Sequence, residues 1–173
     1  MDDFDDWVRA SYARAYRTAC LLLPNPADAE EAVQEAFLKV WRFRSAVPEG
    51  DGRQPWLYRV VVNTCHSRHR ADAARPRIAG ELNEELALAD EGSGAEEQLV
   101  RATDVRAALA ELPEHLRVVV VLHYYVGLAD RDVGIAVGRR PGTVRARLVE
   151  ARRRLAGDPR LASWAPADAG GAV

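Results

Sequence analysis

Hydrophobic positions along this chain recur at helical rather than strand spacing, and the breaks between periodic stretches fall at proline and glycine. Phe4, Trp7, Val8, Ala15, Ala19 and Leu22 can share one face of a first helix over about residues 4–22. Pro24-Asn25-Pro26 ends it. Asn25 then serves as the N-cap of a second helix, with Pro26 at its first position and Asp28 in its first turn. That helix, about 26–43, has the cleanest repeat in the chain: Ala29, Ala32, Val33, Ala36, Phe37, Val40 and Trp41 keep the i, i+3, i+4 rule and read as core. Residues 44–54, RSAVPEGDGRQ, are too rich in proline and glycine to continue it. A third helix runs from about Pro55 to Arg70, with Leu57, Val60, Val61, Thr64 and Arg68 on a side that is apolar through Thr64.

The periodicity then lapses. Residues 73–97 turn acidic through Glu81, Glu84, Glu85, Asp90, Glu91, Glu96 and Glu97 and contain Gly92-Ser93-Gly94, the composition of a flexible linker. Helical spacing resumes over 98–111 through Leu99, Val105, Ala108 and Leu109, and Leu112-Pro113 breaks it. Leu116 to Val126 is a strongly apolar helix, the expected core of a second unit, with His115 and His123 as cap or packing residues. Gly127 and Gly138 to Pro141 divide the remainder into further helical segments, and Val144, Leu148, Ala151 and Leu155 give the last of them a buried stripe. The expected architecture is therefore all-α: a helical domain at 1–72, the linker at 73–97, a second helical domain at 98–157 and a loose tail at 158–173.

Charge changes this picture in one place. The 173 residues carry a net charge of −2, with 48% hydrophobic and 29% charged residues, which is ordinary for a globular protein and gives no whole-chain reason to expect nucleic acid. Within 139–154, however, Arg139, Arg140, Arg145, Arg147, Arg152, Arg153 and Arg154 face a single acid, Glu150. Such concentration is the electrostatic footprint of phosphate binding, and a short helix, a glycine turn and a basic helix opening on proline suit a helix-turn-helix. Taken alone, the run fits a solvated face equally well.

Two other faces carry candidate chemistry. The third helix lines up Trp56, Arg59, Asn63, His66, Ser67 and Arg70, an aromatic, bases and an amide of the kind that hold unpaired DNA, unless Trp56 simply packs into the core. Opposite its apolar stripe, the second helix presents Asp28, Glu31, Gln34, Glu35 and Leu38. Cys20 and Cys65 are too few for a secreted disulfide scaffold, and no apolar run reaches membrane length, so a cytoplasmic protein is expected. Cys65, His66 and His69 lie close along one helix but lack a second ligand pair, so neither metal nor cofactor is expected. No nucleophile with its base, carboxylate dyad or phosphate loop is visible, which argues against an enzyme.

Several of these stretches resemble one family. Leu112-Pro113, Gly127-Leu128, Gly138, Gly142-Thr143-Val144-Arg145-x-Arg147-Leu148 and Ala151-Arg152 resemble region 4, the promoter-binding domain of bacterial sigma factors of the extracytoplasmic-function group, with a SigE-like subfamily as the expected branch. Helix-turn-helix response regulators share a looser version. The run from Asp28 to Leu38 is similar to the region 2 helix that docks on the clamp coiled coil of RNA polymerase, and Trp56-Leu57-Tyr58-Arg59-Val60-x-x-Asn63 resembles the helix that opens the −10 element. The resemblance implies core RNA polymerase, through its clamp coiled coil and flap, and promoter DNA as partners. It leaves room for an anti-sigma factor and implies no membrane. It assigns the −35 element to Arg139, Arg140, Thr143, Arg145, Arg147 and Glu150, and the −10 element to Trp56, Arg59, Asn63, His66 and Arg70, with Asn63 as base reader. Residues 43–54 correspond to the loop that captures a flipped base, and Asp28, Glu31, Gln34, Glu35 and Leu38 become the polymerase contact.

The chain departs from the family pattern at four positions. Ala129 stands where a capping serine is usual, so Asp130 is expected to cap the next helix one residue later. Gly134 replaces a small alanine, at a helix-propensity cost of about 1 kcal/mol, while permitting close crossing. Ala146 replaces a serine, and Glu150, which can accept from cytosine N4 but repels phosphate, stands where a base is frequent, so the −35 sequence stays open. The alternative function is a stand-alone helix-turn-helix regulator whose N-terminal half senses a ligand or dimerises.

Overall fold

The computed structural model describes residues 3–72 and 95–162, and every regular element among them is helical. The expected linker thus lies outside the described residues except for 95–97, which already belong to a helix. Helices α1 (Asp3–Leu22) and α2 (Pro26–Arg42) meet at Pro24-Asn25. Asn25 Oδ1 accepts from the Ala27 amide at 3.0 Å and Pro26 stands at the first helical position, so one orphan donor is satisfied and another is absent. Two 3₁₀ turns, Arg44–Ala46 and Gly50–Gly52, fill the expected loop and lead into α3 (Arg53–Asp72).

The second half comprises α4 (Ala95–Glu111), α5 (Glu114–Val120) running on into a π turn (Val121–Tyr125), α6 (Asp130–Val137), α7 (Pro141–Ala156) and a short α8 (Pro159–Ala162). Residues 159–162, expected within the loose tail, are therefore helical, with Asp158 Oδ1 accepting from the Arg160 amide at 2.9 Å. In the π turn the Val126 amide reaches back five residues to Val121 O at 3.0 Å. The wider turn keeps Val121, Leu122 and Val126 buried while Tyr124 projects outward.

Gly138 closes α6 with φ of +63°, the left-handed conformation that the turn into α7 needs, and the Arg139 amide donates to Gly134 O at 2.9 Å. Gly138→Ala is expected to cost about 1 kcal/mol, because a Cβ is strained at this φ even though nothing crowds it, and a lowered urea midpoint with unchanged slope would register it. At Gly134 the requirement is space: a Cβ there would stand 2.5 Å from Arg139 O, so the close approach is made by the turn's own backbone.

Several expectations are corrected. Trp41, assigned to the core stripe, is 49% exposed, and Val105 is exposed too. Both lie at the edge of their apolar arcs, and Trp41 keeps a tilted ring contact with Phe4 of α1 at 5.9 Å while its other side faces solvent. Asp130 does not cap α6; Ala129 holds the cap position without a side-chain bond, and Asp130 sits in the first turn facing His123 and Arg145.

The two halves share one continuous core. α3 packs against α2 and also against α6, and α1 meets α4, α5 and the π turn. Accordingly α3 buries Leu57, Val61 and Thr64, as its pattern required, and also Tyr58, Val62 and Cys65. Burial pushes the Cys65 thiol up to about 12, with the nearby Cys20 adding to the shift, which leaves it an inert packing group. Among the described residues, the buried polar side chains of Thr18 and Thr64 donate to Arg14 O at 2.8 Å and Val60 O at 2.9 Å on their own helices. Polar bonds span the seam. Arg117 Nη1 donates to Leu22 O at 3.0 Å while its Nη2 donates to Ala110 O at 3.2 Å and Leu112 O at 3.1 Å. Arg14 Nη2 donates to Tyr125 O at 3.2 Å, and His66 Nδ1 lies 2.7 Å from Glu114 Oε1.

Candidate nucleic-acid interface

Helix α7 is pinned by Val144, Leu148 and Ala151, all buried against α5 and α6, with Leu155 partly so. At 3.6 residues per turn, Gly142, Ala146 and Val149 then form an outward ridge of small or branched residues over the first half of the helix, and exposed Arg153 continues it toward the C-terminal end. Arg145 and Arg152 lie along one flank of this ridge, and Arg140, Arg147 and Arg154 along the other. Low side chains on the crest of the first half of the helix let that half approach a surface closely, and cations on both flanks suit a groove with phosphates on either side.

The charges are not all equivalent. Arg145 is 67% exposed and lies 3.9 Å from Asp130, whose other oxygen is 3.5 Å from His123 Nδ1. Arg147 is half-buried, and that burial, followed by the charge of Arg139, lowers its pKa from the ordinary arginine value. Glu150, which the sequence left open toward DNA, pairs with Arg154 at 2.7 Å, so this acid and this base partly cancel. Arg139, Arg140 and Thr143 are exposed around the turn.

The second face is on α3. Arg59, Asn63, His66 and Arg70 are exposed on one side of the helix, as their spacing requires. Trp56 is the exception among the proposed −10 residues: it is partly buried against the core, so its ring is not free on both faces for stacking. His66 is held by Glu114 of α5, a tie across the seam that no local pattern announces. Gly50, Asp51, Arg53 and Gln54 face Gly127, Leu128, Ala129, Arg131 and Asp132 across an open groove of about 920 Å³, which Trp7 and Arg14 also line. Cys65, by contrast, points into the core, and among the described residues no cluster of His, Cys, Asp and Glu stands close enough to hold a metal.

The third face is on α2. Leu38 is 70% exposed beside Glu31, Gln34 and Glu35. These polar residues are already engaged: Glu31 pairs with Arg68 of α3, Glu35 with Lys39 at 2.7 Å, and Gln34 Nε2 donates to Glu30 Oε1 at 3.3 Å. Asp28 is half-buried in the first turn. Sequence reasoning missed the apolar continuation of this face, where exposed Trp41 and Phe43 carry Arg44 and Arg42 over their rings at 5.4 and 5.8 Å. The signal was present as an aromatic beside a basic residue at the helix end, but the periodicity assigned Trp41 inward.

A basic helix standing beyond a glycine-capped helix, with its apolar side buried and its cations outward, defines a helix-turn-helix DNA-binding protein. Residues 7–75 match the Sigma-70 region 2 family and residues 102–155 the Sigma-70 region 4 family. The chain is 32% identical over 153 residues to the ECF RNA polymerase sigma factor SigM of Mycobacterium tuberculosis, covering 88% of this chain and 75% of that one. It is 33% identical over 160 residues to the ECF sigma factor SigE of Mycolicibacterium smegmatis, covering 90% of this chain and 61% of that one. Among solved structures, the sigma factor RpoE of Bartonella quintana, in complex with the anti-sigma factor NepR, superposes with a TM-score of 0.73 at 23% identity, over 90% of this chain and 96% of that one. CnrH, in complex with the cytosolic domain of CnrY, gives 0.62 at 20% identity, over 94% and 89%. The chain belongs to the extracytoplasmic-function RNA polymerase sigma factors, alternative sigma factors that direct transcription initiation. No described helix is long and apolar enough to cross a membrane.

Proposed function

We propose that this chain binds core RNA polymerase in the cytoplasm and carries it to promoters whose −35 element is read by α7 and whose −10 element is opened along α3, with no catalytic step of its own. The observation that carries this reading is the pair of arginine rows flanking the low ridge of α7, in a chain whose net charge is −2. Arg139, Arg140, Thr143, Arg145 and Arg147 would hold the duplex, and Glu150 would take part only after releasing Arg154. On α3, Arg59, Asn63 and Arg70 would meet the exposed strand, with Asn63 reading a base, while His66 would first have to leave Glu114.

The polymerase clamp coiled coil would dock on the α2 face of Asp28, Glu31, Gln34, Glu35 and Leu38. There an exposed leucine supplies apolar contact, and the carboxylates would exchange Arg68 and Lys39 for basic groups of the partner. The flap of the polymerase is the second docking point, on the region 4 unit, which we place at 98–157, with the region 2 unit at 1–72. An anti-sigma factor is a further expected partner, in keeping with the complexes of RpoE and CnrH.

Run-off transcription with purified core enzyme, coupled to genome-wide mapping of start sites, tests the proposal. The expected result is transcripts from a defined set of sites only when this chain and core are both present. Tight binding to an operator duplex without core, or no defined start site with it, would overturn it.

A further inference from the structure

Tyr124 stands out among the aromatic residues. The π turn throws it out of the apolar α5 segment to 55% exposure, and its hydroxyl accepts from Arg152 Nε of α7 at 2.6 Å. The same guanidinium carbon lies 5.8 Å from the centre of the Tyr124 ring, and His123 braces that ring edge-on at 4.8 Å. An exposed arginine normally samples many rotamers and loses that freedom on binding. Here the Nε bond and the neighbouring ring restrict the guanidinium in advance while leaving its two terminal amino groups without a hydrogen-bond partner among the described residues. Among the described residues no carboxylate pairs with Arg152, whereas Arg145 is near Asp130 and Arg154 is paired with Glu150. Arg152 lies on the same flank of α7 as Arg145, two turns on, or roughly 10 Å along the axis.

We propose that Arg152 is a backbone-phosphate contact of the −35 complex and that Tyr124 is its positioning residue. This rests on the reading that α7 enters promoter DNA. It adds a contact beyond the turn and the first half of the helix, supplied by a residue of α7 and orientated by one outside the helix-turn-helix. Phosphate contacts carry no base information, so Arg152 adds affinity uniformly across promoter sequences. A preset guanidinium forms its phosphate bond with less ordering cost, and that saving is Tyr124's contribution.

The test uses the full chain bound to core polymerase and a promoter duplex recovered by start-site mapping, with affinity measured across a salt series. Failure to recover any such duplex would count against the proposed function, whereas the variants address only the present inference. Arg152→Ala is expected to weaken binding about tenfold and to reduce the slope of log K against log salt by about 1, equally on duplexes with altered −35 bases. Arg152→Lys keeps the slope and loses part of the affinity. Tyr124→Phe, which retains the ring, weakens binding about threefold in the parent but not in the Arg152→Ala background, a coupling that a purely structural role would not produce. An unchanged salt slope in Arg152→Ala, full additivity of the two substitutions, or a loss confined to core association would each overturn the assignment. The last outcome would make this flank a protein-binding surface.

Discussion

Replacing Arg145 and Arg147 together with alanine is expected to cut promoter-specific transcription by about 30-fold or more while leaving core polymerase association unchanged. Each bidentate base contact discriminates by about 1–3 kcal/mol, and the two side chains lie on opposite flanks of α7, so their losses should nearly add. Neither is needed for folding. Arg145 is mostly in solvent, and the pKa of Arg147 is lowered by partial burial and by Arg139, so removing Arg147 relieves a repulsion instead of breaking a bond. Run-off yield and core affinity measured on the same preparation check this; parallel loss of both would mean that the substitutions damage the fold.

A second large effect is expected at the seam. Arg117→Met keeps much of the side-chain volume but removes three donors, at 3.0, 3.2 and 3.1 Å, from the carbonyls of Leu22, Ala110 and Leu112. Bonds from a charged donor are worth about 1.5–3 kcal/mol each, and releasing the guanidinium from its partly desolvated place returns some of that, so a net loss of about 2–4 kcal/mol follows. The direction of the Arg117 pKa, lowered by burial, is consistent with that desolvation. Against a total stability of about 5–15 kcal/mol this should move the urea midpoint visibly. Arg117→Lys should fail to restore it, because one ammonium cannot span carbonyls that a planar fork reaches from two nitrogens. A midpoint restored to the parent value by lysine would show that charge alone, and not the fork, secures the seam.

Much of the local structure was legible in the sequence, the expected Asp130 cap excepted. Asn25 and Pro26 start α2 because capping depends on residues two apart, and Gly138 ends α6 because only a residue at ease with positive φ fits there. The α7 stripe of Val144, Leu148 and Ala151 likewise follows from helical period alone, and with it the outward arginines. What escaped depends on the second element that arrives. Tyr58, Val62 and Cys65 widen the apolar arc of α3, at a spacing that could have been noticed, but nothing local says that Tyr58 will meet Thr18 and Cys65 will meet Cys20 of α1. Trp41 satisfies the period of α2 yet is covered only in part, by Phe4 of α1 and by Arg44. The pairing of Glu31 with Arg68, of His66 with Glu114 and of Tyr124 with Arg152 joins residues far apart in sequence or across a turn, and decides which charges remain available. The face of a helix could be read in advance; the occupancy of its charged groups could not.

Arg14 and Arg117 cross between the halves by donating to the peptide oxygens of Tyr125 and Leu22 respectively, not to their side chains. An acceptor of that kind survives any amino-acid replacement at its own position. Mutational drift at positions 22 and 125 can therefore alter packing without erasing those bonds, and only loss of the donating arginines, or displacement of the main chain, can undo them.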